Sequence, residues 1–212
     1  NTLTLIKQIT QTELGGIPDV VRLSGEQIWL LLRNSSIAVL NAASGGFEIG
    51  RSIPVRSRSG AKVAMTDLIV TSDLVMISTG RSGMVLAYSI SPDGWILNGQ
   101  LSLAYLETNM LLSAETIQLV GTDLFVAAGQ GDLQRFDLSD WLKGDFSNEP
   151  ALVDYYGVTG NATDFVFSAN AVYVGSSFGY VNGIAVENPV NNLSVSAIGG
   201  AVNTLAKPAF GL

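Results

Sequence analysis

The polar and apolar positions of this chain repeat with a period of about 48 residues, and the pattern occurs four times. Each copy has a small residue, a two-residue turn, and then an apolar run with an aromatic residue or Met at one fixed place. The small residues Gly25, Ser72, Gly121 and Ala169 are 47, 49 and 48 residues apart. Repeats of roughly 40–50 residues that are rich in short strands are typical of β-propeller blades. The pattern therefore predicts an all-β propeller of four four-stranded repeats.

Each copy divides into four predicted strands. The first alternates apolar and polar residues, which indicates one buried face, as at Val21 and Leu23. The second is continuously apolar, as at residues 74–77, which indicates a strand covered on both faces. A third strand and a more polar outer strand follow. The predicted blades span approximately residues 19–58, 66–105, 115–156 and 163–199, within a single propeller domain over residues 1–212.

The two ends of the chain predict additional strands. Residues 3–9 have the pattern of an outer strand, and residues 201–206 have that of an inner strand. Three arrangements are compatible with them: part of a larger propeller, four blades that close alone, or a propeller completed by pairing between chains. The chain begins at Asn1 and not at Met, so we expect that an N-terminal part was processed or belongs to a longer precursor.

Composition excludes several function classes. The net charge of −7 argues against sequence-independent nucleic-acid binding, which needs a basic surface. The chain has no His and no Cys, which excludes Ser-His-Asp and Cys-His catalysis and any metal site built on imidazole or thiolate. No apolar run approaches the length of a membrane span.

Three carboxylates form the candidate metal site. Asp67 and Asp164 precede the first strand of their blades, and Asp19 lies within one residue of that position. In a propeller these positions lie near the mouth of the central channel, where a ring of carboxylates could hold Ca²⁺. The alternative is that each Asp accepts backbone N–H bonds within its own loop. No cofactor other than this calcium is expected.

Three arginines are candidate interaction residues. Arg81 lies in a predicted hairpin turn, and Arg56 and Arg58 belong to a basic stretch. They would bind a partner, or they are ordinary solvated side chains. Among the aromatic residues, Trp95 and Trp141 lie on outer or inserted segments and are expected to be partly exposed. A sugar-stacking site on the exposed tryptophans and simple packing are both compatible with the sequence.

The last two copies carry the most specific motif. Residues 131–140 end with Asp-Leu-Ser-Asp, residues 150–156 begin with Pro, and residues 160–174 read as an inner hairpin with an Asp before its first strand. This segment, best over residues 131–187, resembles the LVIVD repeat of bacterial and archaeal surface-associated propellers and, more loosely, YVTN-type propeller repeats. The resemblance implies an extracellular, cell-surface or periplasmic propeller, often one part of a large exported protein.

These observations predict a non-catalytic scaffold or protein-interaction module that binds another protein, copies of itself or a glycan. One alternative is a lactonase-like hydrolase or quinoprotein-like enzyme that uses a channel-bound Ca²⁺. A second alternative is a self-assembling filament or sheath subunit, because exposed strand edges readily accept another chain.

Overall fold

The computed structural model of the chain describes residues 8–43, 46–91, 94–105, 110, 112–168 and 171–185. These residues form antiparallel strands and two short helices, which are α1 (Gln11–Leu14) and a 3-10 helix (Trp141–Lys143). No helix in the described ranges is long and apolar enough to cross a membrane.

The strands form four antiparallel sheets, each a meander in chain order. Blade 1 contains β1 (Pro18–Ser24), β2 (Gln27–Leu32), β3 (Ser36–Ala43) and β4 (Gly46–Pro54). Blade 2 contains β5 (Asp67–Val70), β6 (Leu74–Ser78), β7 (Met84–Ser91) and β8 (Gly94–Ser102). Blade 3 contains β9 (Ile117–Val120), β10 (Asp123–Ala127), β11 (Leu133–Asp137) and β12 (Leu152–Tyr156). Blade 4 contains β13 (Ala162–Ser168), β14 (Ala171–Ser176) and β15 (Val181–Ala185).

The sheets lie in a ring as a four-bladed β-propeller, which confirms the predicted fold class. The first strand of each blade is innermost, since β5 contacts both β1 and β9 of the neighbouring blades. The predicted strand of blade 4 at residues 193–198, the end strand at 201–206 and most of the end strand at 3–9 lie outside the described residues.

Apolar side chains fill the spaces between successive blades. Leu31 and Ile77 belong to the core between blades 1 and 2, and Met76 and Phe136 to the core between blades 2 and 3. All of β6 is buried because both of its faces are covered. This confirms the interpretation of the continuous apolar runs. In blade 4 the buried and less buried residues of β14 alternate, and Tyr173 is 41% exposed on the face turned away from blade 3.

The segment between β11 and β12 makes a contact that the sequence did not predict. Trp141 is only 2% exposed and belongs to the core between blades 2 and 3, so the expectation of partial exposure was wrong. Its ring lies 5.5 Å from that of Phe146, and its Nε1–H donates to the carbonyl oxygen of Asn148 at 3.0 Å. The insert thus folds back on the propeller and joins blade 3 to blade 2.

Candidate functional site at the channel mouth

One end of the propeller is built from two kinds of connection. Because each blade is an antiparallel meander, the turn between its second and third strands lies at the same end as the loop that leads to the next blade. We call this end the upper end. It includes the β6–β7 turn with Arg81, the β10–β11 turn with Gln130, and the loop before β9 with Glu115.

Backbone hydrogen bonds join these turns to the neighbouring loops. Gly80 and Ala114 exchange two hydrogen bonds of 2.9 and 2.8 Å, and Gly129 and Ala162 exchange two of 3.1 and 2.9 Å. Gly80 has a φ of +51°, a conformation that residues with a Cβ rarely adopt. Each turn is thereby held against the next blade, and the upper end has a rigid floor.

A cleft of about 550 Å³ lies above this floor, across blades 2, 3 and 4. Its polar lining comes from Arg81, Ser113, Glu115, Gln130, Asn161, Thr163 and Ser177. The repeat explains part of this set, since Arg81, Gln130 and Ser177 occupy the corresponding turns of three successive blades. Sequence reasoning missed Gln130 and Ser177, although the register of the repeat could have identified both.

The cleft contains two charged groups of opposite sign that are not used in the fold. Arg81 is exposed and Glu115 is half-buried. Neither side chain makes a hydrogen bond or ion pair within the described part of the chain, although the backbone of Glu115 bonds to Ala127 and Ser78. The guanidinium and the carboxylate are therefore both available to a ligand.

Asp67 of the predicted metal site is engaged by groups from three blades. Its Oδ1 lies 2.5 Å from Arg22 Nη2 of blade 1 and accepts the N–H of Leu68 at 2.8 Å. Its Oδ2 accepts the N–H of Ile117 of blade 3 at 3.2 Å. Burial raises the pKa of the Asp67 carboxyl, against the opposing effect of Arg22 and the two N–H groups. Asp67 thus joins three inner strands at the channel.

The other two carboxylates of that set have separate surroundings. Asp19 Oδ1 lies 2.7 Å from Arg33 Nε at an exposed position. Asp164 Oδ1 accepts the N–H of Phe165 at 2.9 Å, as Asp67 does from Leu68. Within the described residues no three acidic side chains form a group that could hold a metal ion. The hydrogen bonds fit the loop-capping alternative, and the channel calcium stays a prediction.

The three candidate arginines occupy two different places. Arg56 and Arg58 lie on the loop after β4, where Arg58 Nη2 donates to the Asn98 carbonyl oxygen at 3.2 Å on β8. Arg56 Nη1 donates to the carbonyl oxygen of Val55 at 2.8 Å. The Arg58 side chain is thus held against blade 2, whereas Arg56 is joined to blade 2 by its backbone, whose N–H donates to Tyr88 Oη and whose carbonyl oxygen accepts from it. Of the three arginines, only Arg81 lines the cleft.

No protein-family model and no curated protein matches the chain, whereas solved structures do. The computationally designed Ika4 protein matches with a TM-score of 0.55 at 15% identity, over 81% of this chain and 92% of that one. A protein from Lactobacillus plantarum matches with a TM-score of 0.60 at 13% identity, over 81% of this chain and 56% of that one.

A candidate 6-phosphogluconolactonase from Bacteroides uniformis matches with a TM-score of 0.53 at 14% identity, over 78% of this chain and 53% of that one. The chain thus spans little more than half the length of the two bacterial proteins. At such low identities the similarity shows the propeller fold alone.

Proposed function

We propose that this propeller is a non-catalytic binding module, the scaffold of an exported or surface protein, which holds an acidic segment of a partner protein in the channel-mouth cleft. The observation that carries the proposal is the pair of unengaged charges, Arg81 and Glu115, above a floor fixed by backbone hydrogen bonds.

The chemistry of the cleft favours a peptide ligand. A guanidinium binds a carboxylate through two parallel N–H···O bonds, so Arg81 suits an Asp or Glu side chain of the partner. The Glu115 carboxylate can accept hydrogen bonds along the same segment, and the Asn161 amide can both donate and accept them. Since the floor is already ordered, binding requires little reorganisation of the protein.

The proposal is tested by selecting random peptides on the immobilised protein by phage display. We expect enriched peptides to contain an acidic residue, and Arg81→Glu to weaken their binding at least about tenfold, equivalent to ~1.4 kcal/mol. Lys62→Glu is the charge-reversal control, because Lys62 is an exposed cation outside the cleft. Peptides without acidic residues, or equal binding to Arg81→Glu, would contradict the proposal.

The enzyme alternative would use the same cleft as an active site. A carboxylate without a partner inside the protein can act as a general base when a substrate places a proton within hydrogen-bond reach of it, and Glu115 is such a carboxylate. The substrate named for one structural neighbour, 6-phosphogluconolactone, supplies the assay. Hydrolysis by the protein that is lost in Glu115→Gln would replace the binding proposal with a catalytic one.

Self-assembly is tested separately by light scattering. The described part of the N-terminal segment packs on blade 1, where Ile9 and Leu14 contact the cluster containing Leu30 and Leu40. If assembly uses the end strands, deletion of residues 1–9 converts a larger species to a monomer slightly below the 22.3 kDa of the full chain. An unchanged oligomer after the deletion would exclude that route.

A further inference from the structure

A second cavity lies at the opposite end of the propeller, between blades 1 and 2. Its volume is about 200 Å³, and its described polar and aromatic lining consists of Gln27, Trp29, Asn41 and Trp95, with Gly50 at its edge. These residues come from the start of β2, the end of β3, the middle of β4 and the start of β8. The cavity is therefore distinct from the channel-mouth cleft.

Two indole rings form the aromatic part of the cavity. The rings of Trp29 and Trp95 are 5.6 Å apart with their planes tilted by 31°. Trp29 is 4% exposed, and its Nε1–H has no hydrogen-bond partner. By contrast, the Nε1–H of Trp141 donates to the Asn148 carbonyl oxygen. A buried N–H without an acceptor costs free energy, so the Trp29 side chain has unused bonding capacity at this place.

Two side-chain amides form the polar part. Gln27 Nε2 donates to Asn41 Oδ1 at 2.8 Å, and this bond orients both amides. It leaves the Nδ2 donors of Asn41 and the Oε1 acceptor of Gln27 available. A Cβ at Gly50 would collide with the Asn41 amide, so the glycine provides the space that this amide occupies.

The comparable groove of the neighbouring blade pair is lined by rings from another segment. Between blades 2 and 3 the rings of Trp141 and Phe146 enter the groove at Leu74, Ser89 and Asn98, and a cavity of about 390 Å³ that also has charged residues in its lining remains there. Those rings come from the long connection between β11 and β12, whereas β7 and β8 are joined by residues 92 and 93 alone. Trp95 enters the groove between blades 1 and 2, and a cavity remains beside it.

From this arrangement we propose that the cavity binds one sugar ring. None of the described lining residues is charged, which disfavours an ionic ligand. The C–H groups of a pyranose pack on indole surfaces, and its hydroxyls both donate and accept, which matches the amides of Gln27 and Asn41. The volume is below the roughly 300–1,000 Å³ of pockets for larger ligands, so it suits a single ring.

The test follows the indole N–H signals of the ¹⁵N-labelled protein by NMR. The chain has three tryptophans, and Trp29→Phe and Trp95→Phe each remove one signal and thereby assign all three. The probes are glucose, galactose, mannose and N-acetylglucosamine, each titrated to about 50 mM because so small a ligand is expected to bind with a Kd of order 1 mM. At least one probe should shift the Trp29 and Trp95 signals and leave that of Trp141 in place.

Two variants and one control complete the experiment. Asn41→Ala removes the central amide and Gly50→Ala displaces it, and each should weaken binding at least tenfold while the urea midpoint stays close to that of the wild type. Asn98→Ala, in the groove of the next blade pair, should bind the same probe as the wild type does. The proposal is overturned if no probe shifts the Trp29 or Trp95 signal, or if both variants bind like Asn98→Ala. Because Arg81 lies at the other end, Arg81→Glu should leave these shifts unchanged, which separates this test from that of the proposed function.

Discussion

Substitution of Trp141 tests how much the packing between blades 2 and 3 contributes to the stability of the propeller. Its indole packs in the core between blades 2 and 3, against Phe146 and directly over Gly99 of β8. We therefore expect Trp141→Ala to destabilise the whole propeller and not only the insert that carries it.

The magnitude follows from burial. A tryptophan side chain that is 2% exposed removes about 200 Å² from water, which at about 25 cal/mol per Å² is an upper estimate of about 5 kcal/mol. Measured costs of replacing buried aromatic residues with Ala are about 3–5 kcal/mol. The lost hydrogen bond adds little, because Asn148 is exposed and water can replace the indole donor. We expect a loss of about 4 kcal/mol, a large part of the roughly 5–15 kcal/mol that stabilises a typical domain.

The assay is urea denaturation followed by far-UV circular dichroism, which does not depend on the deleted fluorophore. Leu142→Ala is the control, because Leu142 is the next residue on the same 3-10 helix but is 36% exposed, and it should cost less than about 1 kcal/mol. A cost below about 1 kcal/mol for Trp141→Ala would refute the reasoning, since the indole would then not carry the contact between blades.

A double-mutant cycle locates the contact. A Cβ at Gly99 would lie 2.8 Å from two atoms of the Trp141 ring, so Gly99→Ala should cost about 1–3 kcal/mol. In the Trp141→Ala background only the 3.0 Å contact of the added methyl with the Phe146 ring remains, and the same substitution should cost less. Additive costs would show that the two residues do not touch.

Three further predictions concern the channel carboxylates. Asp67→Asn replaces one acceptor oxygen with an amide, so Leu68 or Ile117 loses its acceptor and the protein should be destabilised by about 1–3 kcal/mol in urea denaturation at about pH 4. The pKa of Asp67 is higher in the folded than in the unfolded protein, so on a rise in pH the carboxyl loses its proton first in the unfolded chain. The stability advantage of the wild type over Asp67→Asn should therefore shrink as the pH rises from about 4 through the raised pKa. An advantage that grows with pH would contradict the direction of the shift. Since Asp67 is engaged by Arg22 and two N–H groups, the urea midpoint of the wild type should be the same in CaCl₂ as in EDTA. A midpoint that rises with calcium in the wild type but not in the double variant Asp67→Asn/Asp164→Asn would establish the predicted metal site.

The amino-acid sequence by itself determined the blades. Strand alternation, the continuous apolar run of each second strand and the glycine-rich turns are local features, because each reflects hydrogen bonding and burial within one meander. Their recurrence every 48 residues or so was therefore enough to define the strands described for all four blades and to place Arg81 in its turn. The composition also limited the chemistry, since no arrangement in space can supply the missing imidazole and thiol groups.

Only the tertiary structure decided what meets between blades. Periodicity shows that a face is covered but not which side chain covers it, because contacts between blades join residues that are more than about 30 positions apart in the sequence. Asp67 shows this, since its partners Arg22 and Ile117 belong to other blades, and only the packing of blades 1, 2 and 3 side by side brings them to one carboxylate. The same holds for Trp141, which the sequence placed on an inserted segment with partial exposure but which packs over Gly99 of another blade. The two cavities proposed as binding sites also depend on the tertiary structure, because residues of more than one blade line each of them and no side chain fills the space.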